Sequence, residues 1–203
     1  MAQPLKVILI GGSSHTGKST VARALAERLG WEVISTDSLA RHPGRPWAPE
    51  GQAVRPHVAE HYLTLEVDQL IDSVLAHYRG MWPMVRALIE ARLNDPSAAP
   101  LVLEGSALWP EQVAELGLEG VMAIWLTAPD PLFERRIHAE SGYSATQGER
   151  RTLIEKFVAR TKRYNQLMMR HVKRLRLKSI DVEAETDVAG ACLRAAGPRI
   201  ARM

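Results

Sequence analysis

The residues Gly12, Ser13, Ser14, His15, Thr16, Gly17, Lys18 and Ser19 constrain this chain most, because they fit the spacing G-x-x-x-x-G-K-[ST]. An apolar run at 7–10 leads into them, and residues 5–10 read as a strand. Residues 18–29 follow and read as a helix, with Val21, Leu25 and Leu29 on one face and Gly30 just past its end. Glycines let a backbone fold round an anion, and consecutive N–H groups at a helix N-terminus then point at it. A phosphate-binding loop is therefore expected from Gly12 to Thr20. Lys18 is placed to span the β- and γ-phosphates of a nucleotide, Ser19 to ligate Mg²⁺, and Thr20 to hydrogen-bond the α-phosphate. The alternative is a chance match in an ordinary glycine turn, against which the flanking strand and helix speak. His15 stands at a freely variable position, and its side chain is assigned no chemistry.

The rest of the chain continues this strand, loop and helix unit. Residues 31–35 read as a second strand, 101–103 as a third ending in Glu104, 121–127 as a fourth and 175–182 as a fifth. Helical periodicity predicts helices over 66–78, 83–93, 130–140, 149–172 and 186–196. Between 41 and 56, Pro43, Gly44, Pro46, Pro49, Gly51 and Pro56 exclude regular structure and predict a stiff loop. The polar, glycine-flanked segment 141–148 reads as a mobile lid, with the lid region running to residue 150. One domain is expected over 1–203, with 38–98 as its acceptor-binding region.

Composition narrows the class further. A single cysteine, Cys192, allows no internal disulfide and no multi-cysteine zinc site. No run approaches the length of a membrane span and no signal peptide is evident, so a cytoplasmic protein without membrane attachment is expected. His42, His57 and His61 lack the spacing of a zinc site. The net charge is +3, and residues 150–178 hold eleven Lys and Arg against Glu155 alone. On the helix there, Ile154, Phe157, Val158, Thr161, Met168 and Val172 share one face, while Lys156, Arg160, Arg163, Arg170 and Arg174 lie opposite. That basic face reads as solvated, and without interleaved aromatic residues a nucleic-acid partner is not expected.

The loop, the aspartate in Ser35-Thr36-Asp37-Ser38-Leu39, the acid in Leu103-Glu104-Gly105 and the arginine-bearing helix after Leu126-Thr127-Ala128-Pro129 together resemble the nucleoside monophosphate kinase and shikimate kinase superfamily over nearly the whole chain. The Gly11-Gly12-Ser13-Ser14 opening with Asp37-Ser38-Leu39 is similar to chloramphenicol phosphotransferases, and Val102 to Gly105 is similar to 2-phosphoglycerate kinases. The resemblance implies a three-layer α/β fold with a central five-stranded parallel sheet, helices on both faces and a small lid. It also implies ATP and Mg²⁺ as cofactors and phosphoryl transfer to a small molecule. The Asp-Gly-[Phe/Tyr]-Pro-Arg segment of adenylate kinases and the triple glycine of shikimate kinases are missing, which disfavours those two substrates.

On this resemblance Asp37 is the candidate base that takes the proton of the attacking hydroxyl, a capping role being the alternative. Glu104 would hold an Mg²⁺-bound water or the acceptor alcohol; an exposed strand-end carboxylate is the alternative. Arg41 and Arg45 suit a phosphate or carboxylate on the acceptor. Lid arginines of the superfamily close over the transferring group; Arg135, Arg136, Arg150 and Arg151 qualify by position, and Arg136 is carried forward with Lys18 and Asp37 as catalytic. Trp47, Trp82 and Trp109 either line a pocket or pack the acceptor region, packing being the expectation. A nucleotide-dependent regulatory ATPase and a nucleic-acid end kinase are the competing functions. Phosphates are common to ATP and GTP, and the sequence leaves the acceptor and the choice between monomer and homodimer open.

Overall fold

Strict alternation along the first strand separates two cores. In the computed structural model, which describes residues 4–40, 44–48 and 52–197, β1 (Val7–Gly12) is buried throughout. Val7 and Leu9 face one side of the sheet and Ile8 and Ile10 the other. The same period of two recurs in β3 (Leu101–Glu104) and β4 (Val121–Thr127), where Leu101, Leu103 and Trp125 join Leu9 while Val102, Ile124 and Leu126 join Ile8. Strands buried on both faces belong to parallel sheets covered by helices. The sheet has five strands in the order β2-β3-β1-β4-β5, with every pairing parallel; its edges are β2 (Glu32–Ser35) and β5 (Lys178–Asp181).

One face is covered by α1 (Lys18–Leu29) and α7 (Val188–Ala196), through Ala22, Leu25, Cys192 and Ala196. The other is covered by α3 (Val67–Asn94), the short α4 (Pro110–Ala114) and α6 (Gly148–Arg174). A third apolar cluster joins α2 (Pro56–Thr64), α5 (Asp130–Ser141) and the first half of α6, through Tyr62, Phe133 and Phe157. Full burial of each such side chain stabilises the fold by about 1.5–3 kcal/mol. The three-layer fold with its five-stranded parallel sheet is as the sequence implied.

Several boundaries differ from expectation. The helices expected over 66–78 and 83–93 are one helix, α3, running through Pro83. Proline removes one N–H, but Met81, Val85 and Ile89 stay on one buried stripe against the sheet, and that packing carries the helix past the break. Helices α2 and α4 were not expected; Pro56 and Pro110 at their first turns were the available signal. The fifth strand begins later than residue 175, because 175–177 close the end of α6: Arg176 N–H donates to Lys173 and Leu177 N–H to Val172, with Arg176 at φ 53°. Trp82 and Trp109 pack against the core beside α3 and α6, as expected, with Trp109 5.4 Å from the Tyr164 ring.

The basic side of α6 is not simply solvated. Lys156 Nζ donates to the Leu65 carbonyl at 2.9 Å, Arg163 Nε to Asp68 at 2.9 Å, Lys162 Nζ to Glu134 at 2.6 Å, and Arg160 to the Tyr62 hydroxyl at 2.6 Å. These side chains tie α6 to α2, α3 and α5. Their partners are up to 98 residues away, which no helical-wheel argument detects. Among the described residues no helix is long and apolar enough to cross a membrane.

Candidate active site

β1 ends in a loop that curls back on itself. Ser13 Oγ donates to the Thr161 carbonyl at 3.0 Å, and the Ser13 carbonyl accepts from Thr16 Oγ1 at 2.9 Å and from Lys18 Nζ at 2.8 Å. Gly17, at φ 92°, turns the chain into α1 in a conformation that favours glycine. Lys18 is buried, and that desolvation lowers its pKa, opposed first by the charge of Glu104 and then by that of Asp37. The ammonium thus sits at the centre of the loop with two carboxylates in range. Ser14 and Gly17 are half-buried, and Ser19 and Thr20 are exposed.

Glu104 closes β3 but is not an exposed strand end. It is 4% exposed, and its Oε1 accepts a 2.9 Å hydrogen bond from Ser19 Oγ. A buried carboxylate beside a hydroxyl at the mouth of a phosphate loop is a hard oxygen pair that suits Mg²⁺, whose remaining ligands are usually waters and phosphate oxygens. No cluster of three or more acidic, His or Cys side chains that could hold a metal occurs among the described residues.

Asp37 lies in a single 3-10 turn (Thr36–Ser38) directly after β2. Its side chain does not cap that turn: Ser35 Oγ accepts from the Asp37 N–H at 3.3 Å. The Asp37 carboxylate is exposed and hydrogen-bonds no other described residue. Thr36 beneath it is fully buried against Gly105, where an added Cβ would stand 1.7 Å from Thr36 Oγ1. That close approach seats the turn on the end of β3.

Asp37 borders a cavity of about 840 Å³. Ser14 of the phosphate loop, Arg45, Trp47, Tyr78, Ser106 and Arg160 also line it. Tyr78 is held protonated, its pKa pushed up to about 12 chiefly by burial. Arg160 has no carboxylate partner among the described residues and stacks 5.6 Å from the Phe157 ring. Arg45 also forms an ion pair with Glu140. Arg41 and His42 lie outside the described residues. Trp47 lines the cavity, contrary to the expectation of packing alone, and meets Phe157 edge-on at 4.8 Å.

The arginines separate by position. Arg136 donates from Nη1 to the His15 carbonyl at 2.8 Å, which puts its guanidinium on the phosphate loop. Arg135 pairs with Glu183, and Arg151 lies over the Tyr143 ring at 4.4 Å and contacts Glu155. The expected lid at 141–150 contains the end of α5, a 3-10 turn (Tyr143–Ala145) and the start of α6. The Tyr143 ring stacks on His138 at 3.8 Å. Sequence reasoning missed Arg160, Tyr78, Ser106 and the His15 side chain, all brought to the site by contacts between distant elements.

No family model matches the chain. A tRNA dimethylallyltransferase of Thermosynechococcus vestitus is 29% identical over 157 residues, covering 66% of this chain and 47% of that protein. A cytidylate kinase of Colwellia psychrerythraea is 26% identical over 105 residues, covering 52% of this chain and 38% of that protein. The chain therefore spans about half the length, or less, of these curated relatives. A solved shikimate kinase of Acinetobacter baumannii, in complex with shikimate, superposes with a TM-score of 0.52 at 18% identity, covering 94% of this chain and 92% of that one. With its strand order, phosphate loop and this superposition, the chain has a P-loop fold like that of the nucleoside monophosphate and shikimate kinases.

Proposed function

We propose that the chain is an ATP-dependent kinase whose acceptor is a small, hydroxyl-bearing anion bound in the cavity beside the phosphate loop. One observation carries the reading: a single cavity has Ser14 of the loop, the carboxylate of Asp37 and the guanidinium of Arg160 in its wall. Loop N–H groups and Lys18 hold the β- and γ-phosphates. The acceptor oxygen attacks the γ-phosphorus, the bond to the β,γ-bridging oxygen breaks, ADP leaves, and the hydroxyl proton passes to Asp37. Arg136, anchored on the loop, offsets charge on the transferring group. Ser19 and Glu104 would hold Mg²⁺, which when bound neutralises phosphate charge. Arg160, without a carboxylate partner among the described residues, receives the acceptor's anionic group.

The identity with tRNA dimethylallyltransferases favours a second reading, in which the same loop and cavity serve alkyl transfer to tRNA. A panel of sugar acids, phosphoglycerates, nucleosides and phenicol-type alcohols, incubated with γ-labelled ATP, separates the two when run beside tRNA with a dimethylallyl donor. Label on a small anion, lost in Lys18→Ala, supports the kinase. Modification of tRNA, with no labelled small molecule, overturns it.

A further inference from the structure

His15 points inward although the loop motif leaves the residue type at its position free. The side chain is 4% exposed. Its ring lies edge-on to Phe157, centroids 5.7 Å apart, and tilted against Trp47 at 5.9 Å. Nε2 stands 3.0 Å from Glu140 Oε2 at the end of α5, and the other oxygen of Glu140 pairs with Arg45. Nδ1 is buried with no hydrogen-bond partner among the described residues. The phosphate loop, the segment 44–48 and the end of α5 therefore meet on one imidazole. The backbone here has φ 63°, and a non-glycine residue keeps that conformation where surrounding contacts over-determine it.

The ring's charge state follows from its neighbours. Glu140, Arg45 and Lys18 are the charged groups that act on it, while Arg136 contacts only its carbonyl. Burial, Arg45 and Lys18 disfavour the imidazolium more than Glu140 favours it. The imidazole is neutral at pH 7, and with a carboxylate oxygen as partner Nε2 must carry the proton and donate it.

We propose that His15 is a positioning residue which couples the seating of 44–48 on the cavity wall to anion binding by the phosphate loop. The proposal rests on the reading of Gly12 to Thr20 as a phosphate-binding loop. Anion binding requires the loop N–H groups to converge, which sets the backbone of His15 and with it the direction of the ring. The ring is the seat of Trp47 and, through Glu140, of Arg45. Seating of 44–48 and anion binding then favour each other by one factor, since linkage is reciprocal.

Hydrogen exchange at pH 7, with and without inorganic diphosphate, tests this. In the wild type, diphosphate is expected to slow exchange both in 13–19 and in 44–48, the latter roughly fivefold or more. In His15→Leu and in Glu140→Ala, a change at a partly exposed carboxylate, protection of 44–48 should fall below about twofold. His15→Gln, whose amide can donate from the Nε2 position, should restore most of it. Protection of 13–19 without protection of 44–48 in the wild type, or wild-type protection of 44–48 in both His15→Leu and Glu140→Ala, overturns the coupling alone. Absence of protection at 13–19 in the wild type overturns the phosphate-loop reading, and the coupling with it.

Discussion

Ser19 Oγ donates a 2.9 Å hydrogen bond to Glu104 Oε1, joining the first turn of α1 to the end of β3 across 85 residues of chain. The bond crosses the mouth of the phosphate loop, so the oxygen pair proposed to hold Mg²⁺ is already assembled by the fold. Asp37 stands apart from that pair, exposed at the cavity rim. The two carboxylates should therefore fail differently.

Asp37→Asn keeps size and loses the proton acceptor. Turnover on the identified acceptor should fall by at least roughly a hundredfold with little change in ATP affinity. In Glu104→Gln, raising the magnesium concentration should recover part of the lost rate, and it should recover none in Asp37→Asn. Steady-state kinetics across a magnesium series checks both; equal magnesium rescue of the two variants would refute the division of roles.

Arg160→Met retains much of the aliphatic stem against Phe157 and removes the charge. On the proposed acceptor the KM should rise by about tenfold or more, since charge-assisted hydrogen bonds contribute about 1.5–3 kcal/mol each. The KM for ATP should stay within about twofold. An unchanged acceptor KM would place the acceptor's anionic group elsewhere.

Gly105→Ala drives a methyl group to 1.7 Å from Thr36 Oγ1 and 2.8 Å from Thr36 Cβ. Relief requires the turn carrying Asp37 to move, so a loss of about 1–3 kcal/mol in unfolding free energy is expected. Urea denaturation measures it. Adding Thr36→Ala removes the nearest atom and should recover part of the loss; full wild-type stability in Gly105→Ala alone would contradict the packing described.

His15 makes stability depend on acid. Its pKa is lowered to about 4 in the fold, mainly by burial, against 6.5 when unfolded. The unfolded chain then binds more protons between these values, so stability falls as pH drops from 6.5 towards 4. The drop attributable to this residue is about 1–3 kcal/mol. It appears as the difference between wild type and His15→Gln in denaturation curves at pH 7 and pH 4.5. Identical pH dependence in the two proteins would exclude it.

The phosphate loop, the two-faced strands around it and the placement of Asp37 and Glu104 after β2 and β3 were legible before any fold was known, because they are written in local spacing and in periods of two and 3.6. That Arg160 faces the cavity, that Arg45 is held by Glu140, that the His15 ring is buried between Trp47 and Phe157, and that α3 continues through Pro83 became visible with the packed fold. Each of these depends on contacts between elements far apart in the chain, such as Arg160 with Tyr62 across 98 residues and His15 with Glu140 across 125. Local periodicity reports which face of an element is apolar, whereas the partner of a polar side chain is chosen by packing that closes only when the sheet and both helical layers are in place.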